Sequence, residues 1–150
     1  GMKMKLAIAV ALSHHAKLLI LDEPTSGLDP FMRDEILDIL YEFTRAEDQS
    51  VLISSHIVSD LERLCDYIAY IDQGSLKLYE EKDRLIEQYG ILKCSKEELK
   101  EFDEQAVKGV RKNSYGVEAL VDKLKMPKDY KTDMATLEEI IVFLSKGQEE

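Results

Sequence analysis

Apolar and polar positions along this chain fall into two periods, one helical and one extended. Residues 2–15 are apolar nearly all round, which predicts a buried helix. Leu18–Asp22 is a continuous apolar run of strand length, the pattern of a strand covered on both faces in a parallel sheet. Phe31–Glu47 returns to helical spacing, with Ile36, Leu37, Leu40 and Phe43 on one stripe. Pro30 stands just before it, where a helix tolerates proline. Val51–Ser54 predicts a second buried strand, Ile57–Leu64 a helix and Asp66–Ile71 a third strand. Asp72-Gln73-Gly74-Ser75 is a turn, and Leu76–Tyr79 returns as a strand, which is a hairpin signal. Glu81–Tyr89 reads as a charged helix. This order predicts an α/β fold: a parallel sheet flanked by helices, with an antiparallel edge.

The pattern weakens near Gly90, where Lys and Glu become frequent. Ser95-Lys96-Glu97-Glu98 and Thr136-Leu137-Glu138-Glu139 each fit a capping box opening a helix. Ala106–Arg111 and Tyr115–Val121 read as strands joined through Lys112-Asn113-Ser114. The expectation is one domain over 1–90 and a small α+β extension over 91–150.

Bulk properties narrow the function. The 150 residues are 45% apolar and 33% charged, enough for a core and a solvated surface. A net charge of −10 disfavours nucleic acid as a partner, because phosphate backbones need basic surface. No apolar run approaches the roughly 20 residues of a membrane span, and no signal peptide is expected. Cys65 and Cys94 share no metal-ligand spacing and read as reduced, hydrophobe-like thiols. His14 and His15 are adjacent on a helix and point apart, a poor chelate; near a helix end they suit the dipole.

The chemistry lies in Leu18-Leu-Ile-Leu-Asp-Glu-Pro-Thr-Ser-Gly-Leu-Asp-Pro30. A buried strand delivers Asp22 and Glu23 to a sheet edge, and Pro24 stops it. One reading is a solvent-exposed acid pair. The other gives Asp22 a magnesium ion, held through water, and Glu23 an attacking water, as in nucleotide hydrolases. Thr25–Pro30 is a turn that leaves Asp29 near a helix start, where an acid suits the dipole. Ser54-Ser55-His56 follows the second strand at the equivalent end, the usual ligand edge of an open α/β sheet. A His there can contact a γ-phosphate and link it to the attacking water.

With these residues the chain resembles the C-terminal part of an ATP-binding cassette (ABC) ATPase, the motor subunit of ABC transporters. Leu18 to Asp22 matches the Walker B strand and Glu23 the catalytic glutamate. Ser26-Gly27-Leu28-Asp29 matches the D-loop, which in that family crosses a head-to-tail dimer, and His56 matches the switch histidine. Gly1 falls at the end of the signature motif LSGGQ, with Met2 where Gln is usual; Gly1-Met2 also reads as a tag scar and start residue. The resemblance covers 1–90, and 91–150 resembles the extension of some bacterial exporter-type subunits. It implies a partial P-loop NTPase-like sheet, ATP and Mg2+ as cofactors, a membrane permease and a second ATPase subunit as partners, and a place on the inner face of the cell membrane. The Walker A loop GxxxxGK[ST], the adenine-stacking aromatic and the Q-loop are absent from these 150 residues. The chain by itself is therefore expected to be inactive. Two other readings stand beside this one: a non-enzymatic module that associates with itself or with a full-length ATPase, and a soluble ABC ATPase not coupled to transport.

Overall fold

The computed structural model describes residues 2–113, 116–127 and 129–146. They form two compact units, one ending at Leu64 and the other beginning at Cys65. This division falls ahead of the compositional shift at Gly90.

The first unit runs α1 (Met2–Leu12), β1 (Leu18–Asp22), α2 (Pro30–Thr44), β2 (Ser50–Ser54) and α3 (Val58–Leu64). The two strands are parallel, Leu18 opposite Ser50 through Asp22 opposite Ser54, so both carboxyl ends lie at one edge. Strand alternation sends Leu19, Leu21, Val51 and Ile53 to one face, where they pack with Ile8, Ile36, Leu40 and Phe43. The four stripe residues of α2 are all buried, as their spacing requires. Asp29 caps that helix, its carboxylate accepting from the Met32 N–H at 3.1 Å.

Two expectations of burial are corrected here. Ile20 is 72% exposed and Leu52 60%, so the β1–β2 sheet is covered on one face only. In α1, Ile8 is buried, but Leu6 and Val10 are exposed. The physical reason is the same for both: the described residues of this unit supply a single layer of helices, which satisfies one face of sheet and one stripe of helix.

The second unit starts with a hairpin of β3 (Tyr67–Asp72) and β4 (Ser75–Glu81). Gln73 and Gly74 both have positive φ, 47° and 74°, the requirement of a two-residue type I′ turn. The predicted third strand of the parallel sheet is thus corrected. Among the described residues β3 pairs with β4 alone, because a tight turn makes the local antiparallel partner the nearer one. Next come α4 (Lys82–Gln88), β5 (Tyr89–Cys94), α5 (Lys96–Leu99), β6 (Val107–Asn113), β7 (Gly116–Asp122), β8 (Asp133–Met134) and α6 (Leu137–Lys146). The last four strands form an antiparallel sheet in the order β6-β7-β5-β8. Leu92, Phe102, Val107, Ala119 and Val121 pack together as a core, and α6 packs against β6 and β7.

Both capping boxes form. Ser95 Oγ accepts from the Glu98 N–H while the Glu98 carboxylate accepts from the Ser95 N–H at 2.7 Å. Thr136 and Glu139 repeat the exchange at the start of α6. Cys65 and Cys94 are free thiols, and burial pushes both upward from their ordinary pKa. No described helix is long and apolar enough to cross a membrane.

Candidate functional site

The edge where β1 and β2 end is built by a change of backbone. β1 stops at Asp22 because Glu23 enters the left-handed region, with φ of 47°. A non-glycine residue there costs roughly 1–3 kcal/mol and persists only where its surroundings fix it. Here they do. The Glu23 N–H donates to the Ser54 carbonyl at 3.0 Å, and Ser54 Oγ lies 3.3 Å from the same nitrogen. Ser54 Oγ also donates to Asp22 Oδ1. The last residue of β2 therefore holds both acids at the end of β1.

The Glu23 carboxylate turns toward the loop that leaves β2. Its Oε2 lies 2.8 Å from His56 Nδ1, and its Oε1 accepts from the His56 N–H at 3.0 Å. Both side chains are open to solvent, His56 at 68% and Glu23 at 36%. Asp22 is exposed beside them. The edge thus presents two carboxylates, one engaged with an imidazole and the other with a hydroxyl.

The turn after Glu23 divides its residues. Ser26 donates its N–H to the Glu23 carbonyl and Leu28 donates to Thr25, while Gly27 takes φ of 69°. Ser26 and Gly27 are exposed, Leu28 packs into the first unit's core, and Asp29 caps α2. Gly1 lies outside the described residues.

A buried network sits behind this turn. Thr25 Oγ1 donates to Asp60 Oδ2 at 2.6 Å, and both residues are 1% exposed. Arg33 Nε donates to Asp60 Oδ1 at 2.6 Å, and its guanidinium also donates to Ser59 Oγ at 2.7 Å. Motif reasoning misses these residues, yet the pattern marks two of them. Arg33 shares the stripe of Ile36, Leu37 and Leu40, and Asp60 shares that of Ile57, Leu61 and Leu64. A charge on an apolar helical stripe needs a partner, and here each is the other's.

The donor set decides what metal the edge suits. Among the described residues no three His, Cys, Asp or Glu converge as a metal cage. Asp22 offers hard carboxylate oxygen alone, which fits Mg2+, an ion held by one or two carboxylates, waters and substrate phosphates. When bound, such an ion neutralises phosphate charge as it develops.

Residues 1–59 match a family model described as "AAA domain, putative AbiEii toxin, Type IV TA system". The chain is 47% identical over 83 residues to the lantibiotic transport ATP-binding protein SrtF of Streptococcus pyogenes, covering 55% of this chain and 36% of that protein. It is 46% identical over 76 residues to the bacitracin transport ATP-binding protein BcrA of Bacillus licheniformis, covering 51% of this chain and 25% of that protein. A solved structure described as "An inward-facing conformation of a putative metal-chelate type ABC transporter" superposes with a TM-score of 0.51, covering 81% of this chain and 46% of that one. At 20% identity that likeness concerns the fold alone. In sequence, then, the chain resembles transport ATP-binding proteins, and in fold it resembles a chain of an ABC transporter structure. It spans about a third of the length of the first of these relatives, 36%.

Proposed function

We infer that this chain supplies the hydrolytic edge of an ABC transporter ATPase of bacterial exporter type, whose ATP hydrolysis drives a membrane permease. The observation that carries the reading is the hydrogen-bonded pair of Glu23 and His56 at the ends of two adjacent parallel strands, with Asp22 beside it. In this assignment Asp22 holds Mg2+ through water. Glu23 orients and deprotonates the attacking water, and His56 links it to the γ-phosphate. The Ser26-Gly27-Leu28-Asp29 segment lies at a second ATPase subunit in a head-to-tail dimer, with the exposed Ser26 and Gly27 toward it while Leu28 and Asp29 anchor the turn, and Gly1 belongs to the signature segment. The domain reading that goes with it gives 1–90 to the ATPase core and 91–150 to an extension. The protein works at the cytoplasmic face of the cell membrane, in contact with the permease.

The 150 residues hold no GxxxxGK[ST] loop, and positioning of the phosphates is most of catalysis in such enzymes. The chain alone accordingly shows no ATP turnover. The test is a chimera in which residues 2–81 replace the corresponding segment of the lantibiotic transport ATP-binding protein. The chimera hydrolyses ATP, and Glu23→Gln lowers its kcat by about 100-fold or more while nucleotide binding persists. Turnover by the isolated chain, or a chimera indifferent to Glu23→Gln, overturns the assignment. A chimera that binds nucleotide without turning it over points instead to the association module.

A further inference from the structure

Glu23 and His56 are carried on two exposed loops, and Glu23 holds a strained φ of 47°. The bond between them needs something behind it. Two residues past Glu23, the buried Thr25 donates to Asp60; Asp60 lies four residues past His56. The result is a closed ring. One side is the chain from 23 to 25 and the other the chain from 56 to 60. The ring is stapled at its exposed end by Glu23–His56 at 2.8 Å and at its buried end by Thr25–Asp60 at 2.6 Å. Arg33, reaching in from α2, neutralises the Asp60 carboxylate and is itself held by Ser59.

We propose that Asp60 is a positioning residue, which sets the separation of Glu23 and His56 by clamping the turn after the first to the helix after the second. The proposal rests on the reading of Glu23 and His56 as a working pair. A buried ion pair is weak evidence for stability, because apolar residues of similar volume often serve as well. What an apolar residue at 60 cannot do is accept from the Thr25 hydroxyl and so fix where the Glu23 turn sits.

The backbone N–H of His56 reports on the pair directly, because it donates to Glu23 Oε1 at 3.0 Å. Its hydrogen exchange is measured in the full chain as a ratio to that of Leu40, in the core of the first unit. Asp60→Leu and Thr25→Val each raise the ratio about tenfold, the loss expected for one hydrogen bond to a charged acceptor. Glu23→Ala raises it as far, and Glu23→Ala with Asp60→Leu raises it no further. A ratio unchanged by Asp60→Leu and Thr25→Val, or an additive double variant, overturns the proposal. Should Asp60→Leu loosen the whole unit, Thr25→Val keeps the Arg33 pair and decides the matter. No nucleotide is involved, so this result stands apart from the chimera's. In the chimera, Asp60→Leu lowers kcat and leaves KM for ATP unchanged; the opposite split overturns its positioning role.

Discussion

Replacing Arg33 by Met should destabilise the first unit far more than removing any neutral partner of Asp60. Asp60 is 1% exposed and accepts from Arg33 Nε and Thr25 Oγ1, each at 2.6 Å. Arg33→Met keeps much of the apolar stem and removes the cation, leaving a buried carboxylate with one neutral donor. Breaking a buried pair in this way costs about 3–5 kcal/mol. Thr25→Val leaves the charge paired and costs about 1–2 kcal/mol, the range for one lost hydrogen bond. The decisive variant combines Arg33→Met, Asp60→Leu and Thr25→Val, so that neither a charge nor a hydroxyl is stranded. It should be more stable than Arg33→Met alone, by about 2 kcal/mol or more. Because the chain forms two units, one melting temperature does not define its stability. Native-state hydrogen exchange of the Leu37 and Leu40 amides reads the first unit by itself. An Arg33→Met cost below about 1 kcal/mol, or a triple variant weaker than the single one, refutes the reasoning that Asp60 is a buried charge in need of its partner.

Two further outcomes concern the second unit. Gly109→Ala places a Cβ 2.6 Å from the Phe143 carbonyl oxygen of α6, a backbone atom that cannot rotate away. The variant should lose about 1–3 kcal/mol as α6 is pushed off the sheet, and unchanged exchange at Phe143 and Leu120 would refute this. The Ser95 backbone N–H, and after it the Ser95 hydroxyl, hold the Glu98 carboxyl below its ordinary pKa of 4.5. A lowered carboxylate stabilises above its unfolded pKa and loses that contribution as pH falls through the folded value. Protection of the Ser95 amide should therefore be full at neutral pH and fall below pH 4.5, and Glu98→Gln should remove this pH dependence.

Local chemistry is what the sequence exposes best. The α2 stripe, both capping boxes and the Gln73-Gly74 turn are each set by residues a few positions apart, and each forms as expected; Asp29, expected near the helix start, is found capping it. Layering is not local. The apolar run Leu18–Leu21 states what a strand prefers on its two faces, and only the chain elsewhere decides whether a second layer exists. Ile20 therefore ends up exposed. Strand β5 is hidden for a similar reason. It opens directly from a charged helix, and its Gly90 mimics a boundary. In the fold that glycine is buried as the second residue of the strand, where a Cβ would meet Thr132 Oγ1 at 2.6 Å. The meeting of Glu23 and His56 is legible because they follow the same ends of two neighbouring parallel strands, Glu23 by one residue and His56 by two. The Arg33–Asp60 pair is legible only to a reading that asks why charges stand on apolar stripes.

The proposed role also gives a reason to expect no turnover from this edge by itself. Asp22 and Glu23 place two carboxylates side by side at an open surface of a chain with net charge −10. A polyphosphate brought to that edge adds further negative charge. Like charges about 4 Å apart repel by about 4 kcal/mol at the dielectric of a protein surface. A bound magnesium ion offsets part of this. The rest requires a positive phosphate cradle, and the 150 residues contain no glycine-rich loop with a following Lys-Ser or Lys-Thr. Packing shows a parallel need, since Ile20 and Leu52 stand exposed on the uncovered face of the same two strands. A segment that lays an apolar layer over that face and carries a phosphate loop to the β1–β2 edge would meet both needs at once. On this reading, what completes the chemistry of Glu23 also completes the sheet that presents it.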